Sequence, residues 1–455
     1  MAGCGEKAAA MATARRSSAV VAAANGTLAR AVFVTAWLAL LFLSSAPSTA
    51  VAAVARFRGR TPLEWSKAMA ESEIDRRGDS LFFGQFDPES DRPARWRYTT
   101  GLLAHALLRL QCPSYKSKPC RQRSPPGGKS DYYAWASKYI NSFVLENGTI
   151  AGYNDTLYSL DDLMSGRALV AVWLTEKAPR LRKAIDTLLD QLKNQPRTYD
   201  GGYWHRIIYP GQMWLDGVYM AEPFYMQADC LPPRNCDKVD DVVLQFRLMD
   251  KHAYDPNTGL LFHGWDSLRK DIWADPVTGL NSDFWGRAMG WFSMAIVDTL
   301  DYIPASHKAE RLWMTDLARK VAEGLLRWQD PESGVWYQVL TKGERTPPNY
   351  LESSASSMFV YFMARGMQRK YLDSATYLQP TLKAYKGIIN RFVTVASNGS
   401  VSLNQICEVA GLGGREMRNG TFEYYVSEKI VSNDLKGVGP FILAGQAVHQ
   451  LLHRH

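Results

Sequence analysis

Six stretches of this chain open on glycine or serine and then run apolar on nearly every face. They lie around Gly101, Gly166, Gly217, Gly290, the Ser353 to Ser357 cluster, and Gly437 with Gly439. This feature most restricts the fold, because a helix that is apolar all round has to be buried all round. Segments such as TTGLLAHALLRL, DDLMSGRALVAVWL, RAMGWFSMAIVDTLDYI and ESSASSMFVYFMARGM carry apolar residues at helical spacing, and no long alternating strand pattern competes with them. The small-residue starts recur every roughly fifty to eighty-five residues, room for an inner helix, a return helix and a loop. Six such units predict an all-α (α/α)6 barrel of six hairpins, with six inner helices ringed by six outer ones.

A second repeat sits between the helices. DPNTGLLF from 255, DPVTGL from 275 and DPESGVWY from 330 share Asp-Pro-x-Ser/Thr-Gly followed by apolar residues. This is turn chemistry, with proline at the second position and glycine where positive φ is needed. Each predicts a short β-hairpin on the barrel rim, joining an outer helix to the next inner one.

Ahead of the barrel, residues 31 to 46 (AVFVTAWLALLFLSSA) form an apolar run preceded by Arg30 and followed by small residues. That pattern reads as a signal peptide, so residues 1–60 are assigned to a leader and 61–455 to a single catalytic domain. An uncleaved signal anchor and an organelle transit peptide are the alternatives, the latter because the first thirty residues contain only Glu6 as an acid. The expected location is the secretory pathway, extracellular or in the cell wall, and a membrane is a partner only if the leader stays as an anchor. The formal charge of +8 owes much to Arg15, Arg16, Arg30, Arg56, Arg58 and Arg60, all before the expected domain. No run of five basic residues occurs, so no nucleic-acid partner is expected.

Cys112 with Cys120 and Cys230 with Cys236 are spaced to staple two short loops, leaving Cys4 in the leader and Cys407 alone. Sequons at Asn147, Asn154, Asn398 and Asn419 would carry surface glycans in a secreted protein. No CxxC or HExxH spacing occurs, and neither a metal nor another cofactor is expected.

On one barrel end the inner-helix starts and rim loops bring chemistry-bearing side chains towards a shared mouth. Tyr98 precedes the first inner helix and Asp161 with Asp162 the second. Trp214 and Asp216 open the third, and Trp285, Arg287 and Trp291 the fourth; His205 arrives in YWHRIIYP, and His263 with Trp265 in LFHGWD. Taken singly, each has an ordinary reading: a capping aspartate, a satisfied histidine, a core indole, an arginine paired with one of those aspartates. Together they suit an oligosaccharide, since indole faces cover pyranose rings and a guanidinium fork matches a uronate carboxylate.

GGYWHRIIYPGQMWLDGVYMAEPF, LFHGWD, FWGRAMGWFSMAIVDTL, SGVWYQVL, YLESSASSMFVYFMARG and DLKGVGPFILAG, in that order, resemble the unsaturated rhamnogalacturonyl hydrolases of glycoside hydrolase family 105, kin of the family 88 unsaturated glucuronyl hydrolases. The resemblance implies the (α/α)6 barrel and a hydrolysis by vinyl-ether hydration of the unsaturated uronyl residue at the non-reducing end of pectin-derived oligosaccharides. It implies Asp216 as proton donor and one of Asp161 or Asp162 as the second aspartate, with Asp162 the favoured choice. Tyr98, His205, Trp214, His263, Trp265, Trp285, Arg287 and Trp291 would line the substrate. The Cys112 to Pro126 insertion and the Cys230 to Cys236 loop depart from the family pattern, and the second is expected to alter the pocket rim. The competing readings are an ordinary inverting glycosidase on the same fold and a catalytically silent sugar-binding cell-wall protein.

Overall fold

The computed structural model describes residues 55–87, 91–112, 120, 130–344 and 348–453; the predicted signal segment and most of the 112–126 insertion lie outside the described residues. Helices alternate outer and inner along the chain: α1 (Pro62–Arg77), α2 (Tyr98–Gln111), α3 (Tyr132–Phe143), α4 (Gly166–Glu176), α5 (Pro179–Asn194) and α6 (Leu215–Asp229). The alternation continues through α7 (Val239–Ala253), α8 (Gly286–Leu300), α9 (Lys308–Arg327), α10 (Ser353–Gln368) and α11 (Ser374–Arg391). A short α12 (Phe422–Ser427) then precedes the last inner helix, α13 (Leu435–Leu452). Each inner helix packs on the next, and α13 packs back on α2, so the ring closes as the six-hairpin pattern predicts.

Burial follows the sequence pattern. Every residue of α8 and of α10 is buried, as only an inner helix allows. The outer α5 instead buries Leu181, Ala184, Ile185, Leu188, Leu189 and Leu192, one stripe at helical spacing. The glycines at inner-helix starts are there for close approach. A Cβ on Gly101 would lie 2.6 Å from the Ser165 Cα, and one on Gly166 would lie 2.5 Å from the Phe224 ring. One on Gly290 would meet Met358 Sδ at 2.5 Å, and one on Gly439 would meet Leu102 Cγ at 2.6 Å. Real side chains do not come so near, so these positions let neighbouring inner helices touch.

Inside the ring one buried polar network ties three inner helices. Arg167 Nη1 of α4 lies 2.7 Å from Asp298 Oδ2 of α8, and the Tyr361 hydroxyl of α10 donates to Asp298 Oδ1 at 2.6 Å. Both charged side chains are sealed from solvent.

The three Asp-Pro turns form where predicted, after α7 and after α9. In each the aspartate accepts from a backbone N–H three residues on: Thr258 for Asp255, Thr278 for Asp275, Ser333 for Asp330. The closing Gly259, Gly279 and Gly334 all have φ near +78°, from +77° to +79°. The first carries a true hairpin, pairing Tyr254 with Leu261.

Two expectations shift. Residues 55–60, assigned to the leader, fold against the barrel: Arg58 Nη1 donates to the Ile389 and Val393 carbonyls, and the Arg60 guanidinium sits 4.8 Å from the Trp65 ring centre. Both short disulfides, Cys112–Cys120 and Cys230–Cys236, are present. Cys230, however, is the C-cap of α6, at the end of the barrel away from the inner-helix starts, so this loop does not shape the mouth on which they converge.

Candidate active site

Backbone wiring gathers the site before any side chain does. The strand Gln212–Trp214 runs antiparallel to Gly264–Asp266, with Met213 opposite Trp265 and Trp214 opposite Gly264. His205 N–H donates to the Gln212 carbonyl at 2.8 Å and Leu160 N–H to the His205 carbonyl at 3.1 Å; Leu215 N–H donates to the His263 carbonyl at 3.0 Å. Three stretches distant in sequence, at 160, 205–214 and 263–266, thus meet at the first turn of α6.

Asp216 sits in that turn and does not cap it. The N-cap is Trp214, whose side chain makes no capping bond. Asp216 Oδ2 lies 3.0 Å from His263 Nε2, with the carboxylate off the line of the ring N–H, so neither atom makes a well-aligned hydrogen bond. His263 has no solvent exposure, and its ring packs on Trp285 at 4.8 Å and Trp214 at 5.6 Å.

Opposite this pair stand His205 and Asp161. The His205 ring stacks on Trp214 with centroids 4.3 Å apart, and Tyr209 packs tilted against Trp214 at 4.7 Å. His205 Nε2 is 3.5 Å from Asp161 Oδ1, and Arg206 closes on the other carboxylate oxygen. Burial pushes the His205 imidazole down to about 4, so it is neutral near pH 7. Burial also pushes the Asp161 carboxyl up, but Arg206 and His205 together hold it below the usual range, as an anion.

The favoured second aspartate, Asp162, is not the one that faces the site. Trp96 Nε1 holds the Asp162 carbonyl at 2.8 Å, and in this 3-10 turn it is Asp161 that reaches His205. Burial and the neighbouring Asp161 charge raise the Asp162 carboxyl to about 7. The folded chain therefore holds a proton that the unfolded chain has released, and this contribution to stability is lost as pH rises through 7. Asp162→Asn escapes that loss: its thermal midpoint relative to the parent is expected to rise by a few degrees between pH 4 and pH 8, read by thermal unfolding at both.

Four other expected lining residues sit differently from the sequence reading. Trp265 points to the other face of its strand, where its ring lies flat on His252 at 3.6 Å and beside Tyr199, away from Asp216. Arg287 pairs with neither aspartate; its guanidinium donates to the Cys407 and Glu408 carbonyls and to Ser354 Oγ, leaving Nε buried and unengaged. Trp291 is buried below the mouth, stacked on Tyr219 at 4.9 Å with the Tyr98 ring edge-on at 6.2 Å. Trp285 is buried too, as the wall behind His263, with Nε1 bonded to Gln338.

The structure adds Arg206, Tyr209 and Tyr425. Arg206 adjoins His205 and was open to a reading as a carboxylate partner; Tyr425, 162 residues from the histidine it touches, gave no local signal. Gly217 has a steric role here. A Cβ would stand 2.9 Å from His205 Nδ1 and 3.0 Å from Leu160 Cδ1. Gly217→Ala is expected to displace His205 and lower kcat/KM by about 100-fold, checked by steady-state kinetics beside a thermal melt.

A six-hairpin barrel with acid, histidine and indole groups at its inner-helix starts defines a carbohydrate-active hydrolase. The chain belongs to glycosyl hydrolase family 88, whose model matches residues 65–452, and it is a glycoside hydrolase. It is 34% identical over 211 residues to Protein Atu3128 of Agrobacterium fabrum, spanning 45% of this chain and 88% of that one. It is 30% identical over 171 residues to the unsaturated rhamnogalacturonyl hydrolase YesR of Bacillus subtilis, spanning 36% of this chain and 46% of that protein. A solved family 105 glycoside hydrolase from C. acetobutylicum superposes with TM-score 0.76 at 37% identity, covering 85% of this chain and 99% of that one.

Proposed function

We propose that the enzyme removes an unsaturated uronyl residue from the non-reducing end of pectin-derived oligosaccharides, with unsaturated rhamnogalacturonan disaccharide as the expected substrate. The observation that carries this is the Asp216 carboxyl: it opens an inner helix and stands beside buried His263, whose ring packs on Trp214. Asp216 protonates C4 of the C4=C5 vinyl ether, and positive charge develops at C5, shared with the ring oxygen. Water then attacks C5 and gives its proton to the Asp216 carboxylate; the hemiketal opens, and the next sugar leaves. One carboxyl serves as acid and then as base, so no second carboxylate at a fixed spacing is needed.

Asp161, rather than Asp162, takes the part of the second aspartate. As an anion held by Arg206 it stabilises positive charge developing on the substrate, and neutral His205 offers Nε2 towards it. A leader removed on secretion would put this work outside the cell or in the wall. The test is an ultraviolet assay on a panel of unsaturated uronyl disaccharides, in which turnover bleaches the conjugated enol-carboxylate. No bleaching across the panel, with reducing sugar released from saturated substrates instead, would point to the ordinary inverting glycosidase.

A further inference from the structure

We propose that Tyr425 is a positioning residue for the Asp216 carboxyl, acting through the tautomer of His263; this rests on the reading of Asp216 as proton donor. His263 is sealed from solvent, so its neighbours alone decide which ring nitrogen carries the proton. Nδ1 lies 2.9 Å from the Tyr425 hydroxyl, and Nε2 lies 3.0 Å from Asp216 Oδ2.

The hydroxyl's role is set from behind. Asn281 Oδ1 accepts the Gly264 N–H at 3.1 Å, which orients the amide so that its Nδ2 faces the phenol oxygen at 3.4 Å and the Asp283 carbonyl at 2.7 Å. Asn281 therefore donates to Tyr425, and the phenol's own proton has His263 Nδ1 as its acceptor. Burial keeps that proton in place, since it pushes the Tyr425 phenol well above its ordinary range. With Nδ1 accepting, the imidazole N–H is at Nε2, turned to Asp216.

Tyr425 has little freedom to leave. Its ring is parallel to Trp285 within 7° at 5.9 Å, and Gln338 Nε2 donates to its carbonyl at 3.0 Å. The Nε2–H is thereby turned towards the buried Asp216 Oδ2 at 3.0 Å, a donor held beside the carboxylate without being aligned on it. Without the phenol the imidazole is free to turn its Nε2 lone pair on the carboxylate, and the carboxyl loses its fixed orientation. The rim segment carrying α12, remote in sequence from every other site group, then belongs to the reaction.

The test combines nitrogen-15 spectra of the imidazoles with kinetics on the full chain, His263 being assigned by its loss in His263→Gln. The native enzyme is expected to show His263 protonated at Nε2 and unprotonated at Nδ1. Tyr425→Phe is expected to mix the tautomers and to lower kcat by about fivefold or more, with KM within about twofold. An Nδ1–H tautomer in the native enzyme overturns the proposal without recourse to any variant, and so does a folded Tyr425→Phe enzyme whose kcat falls less than that. If the native enzyme bleaches no unsaturated substrate, the functional reading fails instead, and the spectra still decide the tautomer.

Discussion

Asp216→Asn is expected to lower kcat by about 10⁴-fold while substrate affinity stays within a few-fold, as read by bleaching kinetics and by calorimetric titration with the uncleaved disaccharide. The magnitude follows from the chemistry. A positioned acid or base is worth about 10²- to 10⁴-fold, and here one carboxyl fills both roles in succession, so its loss belongs at the upper end. Affinity survives because an amide keeps the shape of the carboxyl and its place beside His263, while the aromatic wall of Trp214 and Tyr209 is untouched. A residual rate within tenfold of the parent would mean that Asp216 does not move the proton. Affinity lost together with the rate would mean that the carboxyl holds substrate rather than transforms it.

Asp298→Asn is expected to cost about 3–5 kcal/mol of stability. The substitution keeps size and removes charge. Arg167, held at 2.7 Å and sealed from solvent, would keep its own charge and lose the carboxylate that faces it, which is the costly outcome for a buried pair. Tyr361 would lose the carboxylate that accepts its hydroxyl at 2.6 Å. The Arg167 guanidinium also lies 5.8 Å from the Tyr219 ring, on which Trp291 stacks, so a secondary loss of activity should accompany the loss of stability. Urea unfolding measures the first effect; a cost below about 1 kcal/mol would show that the barrel interior re-solvates the arginine.

The fold was legible because its determinants are local. A helix start that needs glycine for a neighbour's approach, and a helix body with no polar face, both declare themselves within twenty residues of sequence. The Asp-Pro turns likewise carry their own donors, acceptors and positive-φ glycine. The site was legible as far as its members lie at such starts or in the loops leading to them: Trp214 and Asp216 open α6, and His205 and His263 sit in rim loops. What failed was orientation. Asp161 and Asp162 are adjacent, and which one faces inward depends on Trp96 pulling the Asp162 carbonyl and on Arg206 closing over Asp161. Trp265 neighbours the site in sequence, but it pairs with Met213 and so lies on the face of the two-stranded ribbon opposite to Trp214. The Cys230–Cys236 loop lies soon after Asp216 in sequence, yet fifteen helical residues set it on the order of 20 Å away. Tyr425 reaches His263 only because the ring closes, and closure leaves no mark on a local motif.

The rim turns matter for more than shape. Each satisfies backbone donors with its own aspartate, and each is also held by a neighbour: Trp328 donates to the Thr258 carbonyl, Asp266 N–H to the Gly279 carbonyl and Gln329 to the Gly334 carbonyl. The helices beneath share that dependence, since their glycines are fitted to side chains of other elements, as Gly290 is to Met358 and Gly439 to Leu102. Frame and mouth are therefore inherited together: the turn at 275 is bonded to the Gly264–Asp266 strand that pairs with Gln212–Trp214, so a loop exchanged there has to keep that bond for the proton-transfer groups to keep their places.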